Sequence, residues 1–487
     1  MPNLSINSLP DEVLLDIFDS YRQSSSPYDE EWRKKFGWLN LAHVCRRWRA
    51  AVLASSSRLD LTITVGPRKP DHIQTVLSSP LPIFLEYQCW FEDDITGSAL
   101  WRMRAALRQR DRVRGISFGG QTVSYETFIR ETNFHFPALE SLMLGFSVAY
   151  ELDIPDTFLK GPDQSHLRLQ RLRRLELYGA SLVTVSGLLL SATALTDLTL
   201  HVIAPVIDPS QGTFFPFCLQ SMQCLRSLHL TFPDDLREFQ SQHWHSTPKD
   251  IVPLLKLTHV YYFGPIILLN DLMSGLSAPS LQDVYIILCD SNLLPILHLP
   301  RFIDGLREQY RTVNVIFNRG SSDDFCLSLL THSGNIDHLK PSFRLLTNHF
   351  PESIEPIASS GTSYTTLATA EELALFFHDA TMVTEWQHNF PLRDFLRLFR
   401  SVKVLRLEPF VPEVALSLQQ DDGEALLPIL EQIELSVPPI LPSTEGPDEE
   451  YQRRTAAELA AFEPFVSARE QTGYPVKIFH REMSRPD

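Results

Sequence analysis

A chain of 487 residues is too long for one compact core, so two or more units, or an elongated array, are expected. With 44% apolar and 21% charged residues it has the make-up of an ordered globular protein, which excludes a disordered chain. A formal charge of −16 opposes nucleic acid and anionic membranes over the chain as a whole, so either partner would need a local basic patch.

The first residues, Met1-Pro2-Asn3-Leu4-Ser5-Ile6, have no positive n-region and no long apolar run, so no secretory signal is expected. The most apolar window, Tyr261 to Leu269, is short and contains Gly264 and Pro265, which does not suit a bilayer-spanning helix. Six cysteines (45, 89, 218, 224, 289 and 326) show neither a C-x-x-C pair nor a disulfide-framework spacing. They read as reduced and mostly buried, in a protein of the cytoplasm, the nucleus or both.

In chain order, Ser8-Leu9-Pro10-Asp11-Glu12 is a helix start: a capping serine, a proline suited to the first turn, and two acids at the positive end of the dipole. Leu14, Ile17, Phe18 and Tyr21 follow at i, i+3, i+4 and i+7, and Ser24 to Pro27 predicts a stop near Gln23. After a charged stretch, Leu41, Val44, Cys45, Trp48 and Val52 form a second apolar stripe, with Arg46, Arg47 and Arg49 opposite. Two such short helices cannot stand alone. They cap whatever follows or dock on a partner, and periodicity does not choose between these.

The ordered set Ile6-x-x-Leu9-Pro10-x-Glu12-Val13-Leu14-x-x-Ile17-Phe18, then Leu39-x-Leu41-x-x-Val44-Cys45-Arg46-x-Trp48-Arg49, resembles the F-box motif. It is most similar to the F-box-like proteins of mushroom-type fungi. The resemblance implies docking on a Skp-type adaptor and, through it, on a cullin and a RING subunit of an SCF ubiquitin ligase. It carries Leu9, Pro10, Leu14, Ile17, Phe18, Val44, Cys45 and Trp48 over as adaptor-facing or core positions. The stretch from Arg22 to Gly37 is longer and more charged than a compact F-box needs and reads as a surface loop.

From Leu59 onward the pattern changes. Leu59 to Val65 alternates as a strand, and Pro80 to Leu85 and Val113 to Phe118 look like two irregular rungs. L-x-x-L-x-L then recurs from Leu139, Leu172, Leu195 and Leu225. Weaker copies start at Leu257, Leu281, Thr312, Val402 and Leu430. With anchors at 142, 175, 198, 228, 260, 284 and 313, the spacings are 33, 23, 30, 32, 24 and 29. Leucine-rich repeats run at roughly 20–29 residues, so this is a drifted array of the same kind. Each unit would supply one strand and one covering helix, stacked as a curved parallel sheet. The expected fold is therefore α/β: F-box-like helices over residues 1–60, then one irregular leucine-rich-repeat-like solenoid over 61–487. Within it, Ser321 to Phe399 obscures the period, with a loop at Glu352 to Thr366 and a predicted helix at Thr369 to Phe377. A helix over Glu450 to Glu470 and a strand at Tyr474 to Phe479 close the array.

No motif of catalytic chemistry is present: no G-x-G-x-x-G after a strand, no phosphate cradle, no H-E-x-x-H and no G-x-S-x-G. No enzyme activity, cofactor or metal is expected. His243 and His245 read as solvated, and Cys218 and Cys224 as buried in repeat cores. The arginines at 102, 104, 108, 110, 112 and 114 read as a solvated helix face, with an acidic or phosphate partner as the other possibility. What remains is the sheet. If the leucines of L-x-L point inward, Met143, Glu176, Thr199, His229, Tyr261, Tyr285 and Asn314 share the opposite side. Such a row suits protein recognition, against the plainer reading of surface decoration or tyrosines under a loop. The expected role is a substrate-recognition adaptor of an SCF-type ligase, with an unidentified protein target and neither nucleic acid nor membrane as partner. The alternative is a ligase-independent scaffold whose F-box-like helices only cap the array.

Overall fold

The computed structural model describes residues 9–23, 44–54, 61–65, 82–89, 97–120, 122–146, 154, 158–159, 169–180, 185–202, 218–232, 251–281, 283–288, 312–318, 326–333, 341–347, 368, 371–377, 392–408, 412–419, 426–437 and 447–482. The chain divides into two compact units, 1–195 and 196–487.

The first unit opens with helices α1 (Asp11–Gln23) and α2 (Arg46–Ala54). Strands β1 (Leu61–Val65) and β2 (Ile83–Cys89) follow, then α3 (Gly97–Leu107), β3 (Val113–Gly120) and α4 (Thr122–Glu131). The unit ends with β4 (Ser141–Phe146), β5 (Arg174–Ala180) and the short α5 (Ser186–Ser191). Its strands lie in chain order, β1-β2-β3-β4-β5, and the pairs from β1 through β5 are parallel. Connections long enough to cross over, some carrying a helix, are what parallel pairing demands. One irregularity lies where β3 joins β2: Ile83 pairs with Val113 but Phe84 with Gly115, leaving Arg114 as an extra residue. A Cβ at Gly115 would sit 2.2 Å from Cδ1 of Phe84, so the glycine is what lets that ring lie across the neighbouring strand.

In the second unit come β6 (Asp197–Val202), β7 (Ser227–Thr231), β8 (Val252–Pro253), β9 (His259–Gly264), α6 (Ile266–Gly275), β10 (Leu276–Ser277) and β11 (Asp283–Leu288). These are followed by β12 (Thr312–Asn318), β13 (Cys326–Ser333), β14 (Pro341–Thr347), β15 (Glu372–Phe377) and α7 (Leu392–Leu396). The last described elements are β16 (Val404–Glu408), α8 (Pro412–Gln419), β17 (Gln432–Val437), α9 (Pro447–Gln471) and β18 (Lys477–Glu482). The main sheet of this unit again follows chain order, omitting β8 and β10, which pair with each other.

Two expectations are corrected here. Within the second unit's main sheet the strand pairs are parallel except β12-β13 and β13-β14, which are antiparallel, so the strands are not uniformly parallel. The segment read as a helix at Thr369 to Phe377 instead holds strand β15. Leu373 and Leu375 are both buried, and that period of two decides for a strand over a short helix.

One local device recurs through both units. The first leucine of each copy donates its backbone N–H to the carbonyl three residues earlier: Leu139 to Phe136, Leu172 to Leu169, Leu195 to Ala192, Leu225 to Met222, Leu257 to Leu254, Leu281 to Ala278 and Leu430 to Leu427. The next residues then join the preceding strand, as in Glu140 N–H to Arg114 O and Thr258 N–H to Arg226 O. The turn buries the first leucine and starts the strand at a fixed register, so the leucines at positions four and six also face inward. Leu142, Leu175, Leu198, Leu228, Val260 and Val284 are all buried. At the C-terminal end Gly473, at φ +85°, turns the chain out of α9. Arg469 of α9 donates to the carbonyls of Pro428 (2.9 Å) and Leu430 (3.4 Å), fixing the helix over the turn that enters β17.

Candidate functional site

The N-terminal helices pack on each other through the rings of Phe18 and Trp48, whose centroids lie 4.8 Å apart at 56°. Leu14, Phe18 and Ala51 are buried. Arg47 clamps the entry to α1, donating to Asp11 Oδ1 at 2.7 Å and to the carbonyl of Leu9. The backbone of Pro10 accepts from Leu14 N–H at 3.1 Å. Cys45 precedes α2, with its thiol accepting from Trp48 N–H at 3.4 Å and its carbonyl from Arg49 N–H at 3.0 Å. Sulfur here does the work of a capping oxygen.

The positions singled out from the sequence therefore divide. Leu14 and Phe18 are the core of the pair, with Trp48 against Phe18, while Leu9 and Cys45 are half-buried at the helix starts. Pro10 is exposed, and so are Ile17 at 41% and Val44 at 59%. Val13, one turn before Ile17, is exposed at 41% and belongs with them although the apolar stripe did not single it out. Its signal was the i, i+4 spacing to Ile17. Three exposed β-branched side chains on a pair whose interior is already filled form a surface that gains by being covered.

The second candidate is, within each unit, the side of the strands opposite the leucines. In the second unit, adjacent strands place Thr199 beside His229, His229 beside Tyr261, Tyr261 beside Tyr285 and Tyr285 beside Asn314. Five residues chosen from sequence thus form one row. Its rings touch: His229 to Tyr261 at 4.0 Å between centroids, and Tyr261 to Tyr285 at 5.0 Å with planes only 14° apart. His201, two residues beyond Thr199, extends the ladder diagonally, 5.2 Å from His229. All four rings are half-buried. In the first unit Met143 pairs in register with Ser117 on one side and Glu176 on the other, and Ser117 donates to the Met143 sulfur at 3.3 Å. Within each unit, then, the residues expected on this side of the strands lie in register with one another.

Burial, with His201 close by, pushes the His229 imidazole down to about 4, and burial lowers His201 as well. Both rings are neutral at cellular pH, which suits stacking against tyrosine. The unfolded imidazole titrates near 6.5, so the stability held by neutral His229 is fully present above that pH and is lost as pH falls toward 4. Solvent at these half-buried rings reduces the effect to roughly 1–2 kcal/mol. Urea midpoints measured from pH 7 down to pH 4.5 are expected to fall more steeply in the wild type than in His229→Phe.

A third feature was not anticipated. On the same side of the C-terminal strands, Arg406 contacts Glu372 at 2.5 Å through Nη1 and Glu434 at 2.6 Å through Nε, while Gln432 donates to Glu434 at 2.6 Å. Both sit at the variable position of the copies Val404-Leu405-Arg406-Leu407 and Gln432-Ile433-Glu434-Leu435, where the sequence could have paired them. Cys218 is buried as expected and its thiol is pushed up to about 12, which leaves it unreactive, whereas Cys224, expected in a core as well, is only half-buried. His243 and His245 lie outside the described residues. Among the described residues no cluster of three or more histidine, cysteine or acidic side chains could hold a metal, and no helix is long and apolar enough to cross a membrane.

The family model described as F-box-like matches residues 6–58, the segment that contains α1 and α2. F-box domains in general bind Skp-type adaptors. No curated protein matches the chain.

Proposed function

We propose that this protein is a substrate-recognition adaptor of an SCF-type ubiquitin ligase, similar to the F-box-like proteins of mushroom-type fungi. The F-box-like match over residues 6–58, on helices that leave Val13, Ile17 and Val44 exposed, carries the reading. Residues 1–60 act as the docking module toward a Skp-type adaptor and, through it, a cullin and a RING subunit. Residues 61–487 act as a leucine-rich-repeat-like solenoid that holds a target protein. The recurrent turn before each buried leucine supports that reading of the array, and the ladder from Thr199 to Asn314 is the favoured target face.

The chain itself does no chemistry on this reading and needs no cofactor. Its contribution is proximity, since holding a target beside the ligase raises the effective concentration of the target's lysines. A cytoplasmic or nuclear location follows from that role. Calorimetric titration of a Skp-type adaptor tests it, comparing wild type with Ile17→Asp/Val44→Asp. Both side chains are exposed, so circular dichroism is expected to be unchanged while affinity falls at least about 100-fold, as loss of a central apolar anchor does. Equal binding by a folded variant would remove the docking role.

A further inference from the structure

The six arginines between 102 and 114 do not form one solvated face. Arg102 is buried, and Arg112 and Arg114 are half-buried, Arg114 lying 3.8 Å from Glu140. Arg104, Arg108 and Arg110 are exposed, and two exposed aromatic rings, Trp101 and Phe134, lie on the same stretch of chain or beside it. On α3, Trp101 and Arg104 fall at i and i+3 on one side of the helix, and Arg108 follows in the turn just past it, its N–H donating to the Arg104 carbonyl at 3.0 Å. Arg104 reaches Glu131 at the end of α4 at 2.6 Å. Three residues on, the ring of Phe134 lies under the guanidinium of Arg110 at 5.9 Å. Trp101 is 50% exposed and Phe134 43%.

A half-exposed tryptophan leaves apolar ring surface on this helix face that a partner can cover. Tryptophan and arginine together are the residues that dominate binding energy at protein interfaces. Two of the arginines are also held in place, one by a carboxylate and one on a ring, which lowers the cost of ordering them in a complex. We infer that Trp101, Arg104, Arg108, Arg110 and Phe134 form a second binding surface, separate from the helical pair and the sheet faces, for an acidic peptide segment carrying an aromatic or large aliphatic side chain. The charge complementarity is local: three exposed guanidinium groups outnumber two carboxylates, Glu131 and the exposed Asp111, on a chain of net charge −16. That overall charge repels a long polyanion approaching from solution, and three cations neutralise too few phosphates to hold one. A short acidic peptide meets only the local field, and its apolar residue covers the rings.

The test is fluorescence anisotropy on the full-length chain with three labelled probes: a twelve-residue peptide alternating glutamate with phenylalanine or leucine, the same length alternating glutamate with glycine, and a thymidine oligonucleotide. The apolar-containing acidic peptide is expected to bind at least tenfold more tightly than the other two and to weaken with salt. Trp101→Ala and Arg110→Glu, both at exposed positions, are each expected to weaken it at least tenfold with circular dichroism unchanged. Equal affinity for the glycine peptide, tighter binding of the oligonucleotide, unchanged affinity in both folded variants, or binding of none of the probes would each overturn the proposal.

Discussion

Leu228→Ala is expected to destabilise the protein by about 3 kcal/mol, and Tyr261→Ala by only about 1 kcal/mol, although the two residues sit on adjacent strands. Leu228 is buried on the covered side of β7, so truncation removes apolar burial and leaves a cavity that the neighbouring Leu198 and Val260, one on each flanking strand, cannot fill. Tyr261 is half-buried on the opposite side and loses ring contacts with His229 and Tyr285. Binding inverts the order: on the proposed reading Tyr261→Ala costs the target contact at least tenfold, whereas a folded Leu228→Ala retains it. Chemical denaturation followed by target capture reads both effects. If Tyr261→Ala proves the more destabilising, the two sides of the sheet have been assigned the wrong way round.

Arg406→Ala is expected to cost about 2–3 kcal/mol. Its guanidinium lies between Glu372 and Glu434, all three side chains being 21% exposed or less. Removing it leaves two carboxylates facing each other across β16 with no cation between them. The loss is set below the range for fully buried pairs because solvent reaches part of the cluster. Removing both acids with it, in Arg406→Met/Glu372→Gln/Glu434→Gln, is expected to restore most of the stability, since no uncompensated charge then remains. A single Arg406→Ala as stable as wild type in urea would show the cluster to be solvated and without energetic weight.

The parts of this architecture legible in the sequence are those where one residue type has only one place to go. In L-x-x-L-x-L the first leucine must be buried by the turn and the next two by the strand, so the anchors from Leu142 to Val284 fixed both the strands and the row opposite them. That is why Thr199, His229, Tyr261, Tyr285 and Asn314 were found to lie in register. His201 was missed because it falls beyond the motif and meets His229 diagonally, across strands, which a one-strand pattern does not encode. The direction of β13 and β14 was not legible either, because a strand alternates identically whichever way it runs. In Glu372-Leu373-Ala374-Leu375-Phe376-Phe377 the apolar run fitted a helix and a strand equally well until pairing with β14 and β16 chose. In the N-terminal pair the stripe of Leu14, Ile17, Phe18 and Tyr21 holds the buried Leu14 and Phe18 and the exposed Ile17 alike. Periodicity does not separate a buried apolar position from an exposed one, so the exposed Ile17 and Val44 fell inside the stripes while the exposed Val13 fell outside them.

The most direct test of the docking reading is capture of a Skp-type adaptor by the full-length chain and by a chain lacking residues 1–58. The account predicts that the full chain retains the adaptor through gel filtration, and that the shortened chain loses it while keeping the circular dichroism and the cooperative unfolding of the remainder. If the full chain captures no adaptor and the shortened chain unfolds, the two helices serve as a cap on the array, and the ligase role is contradicted.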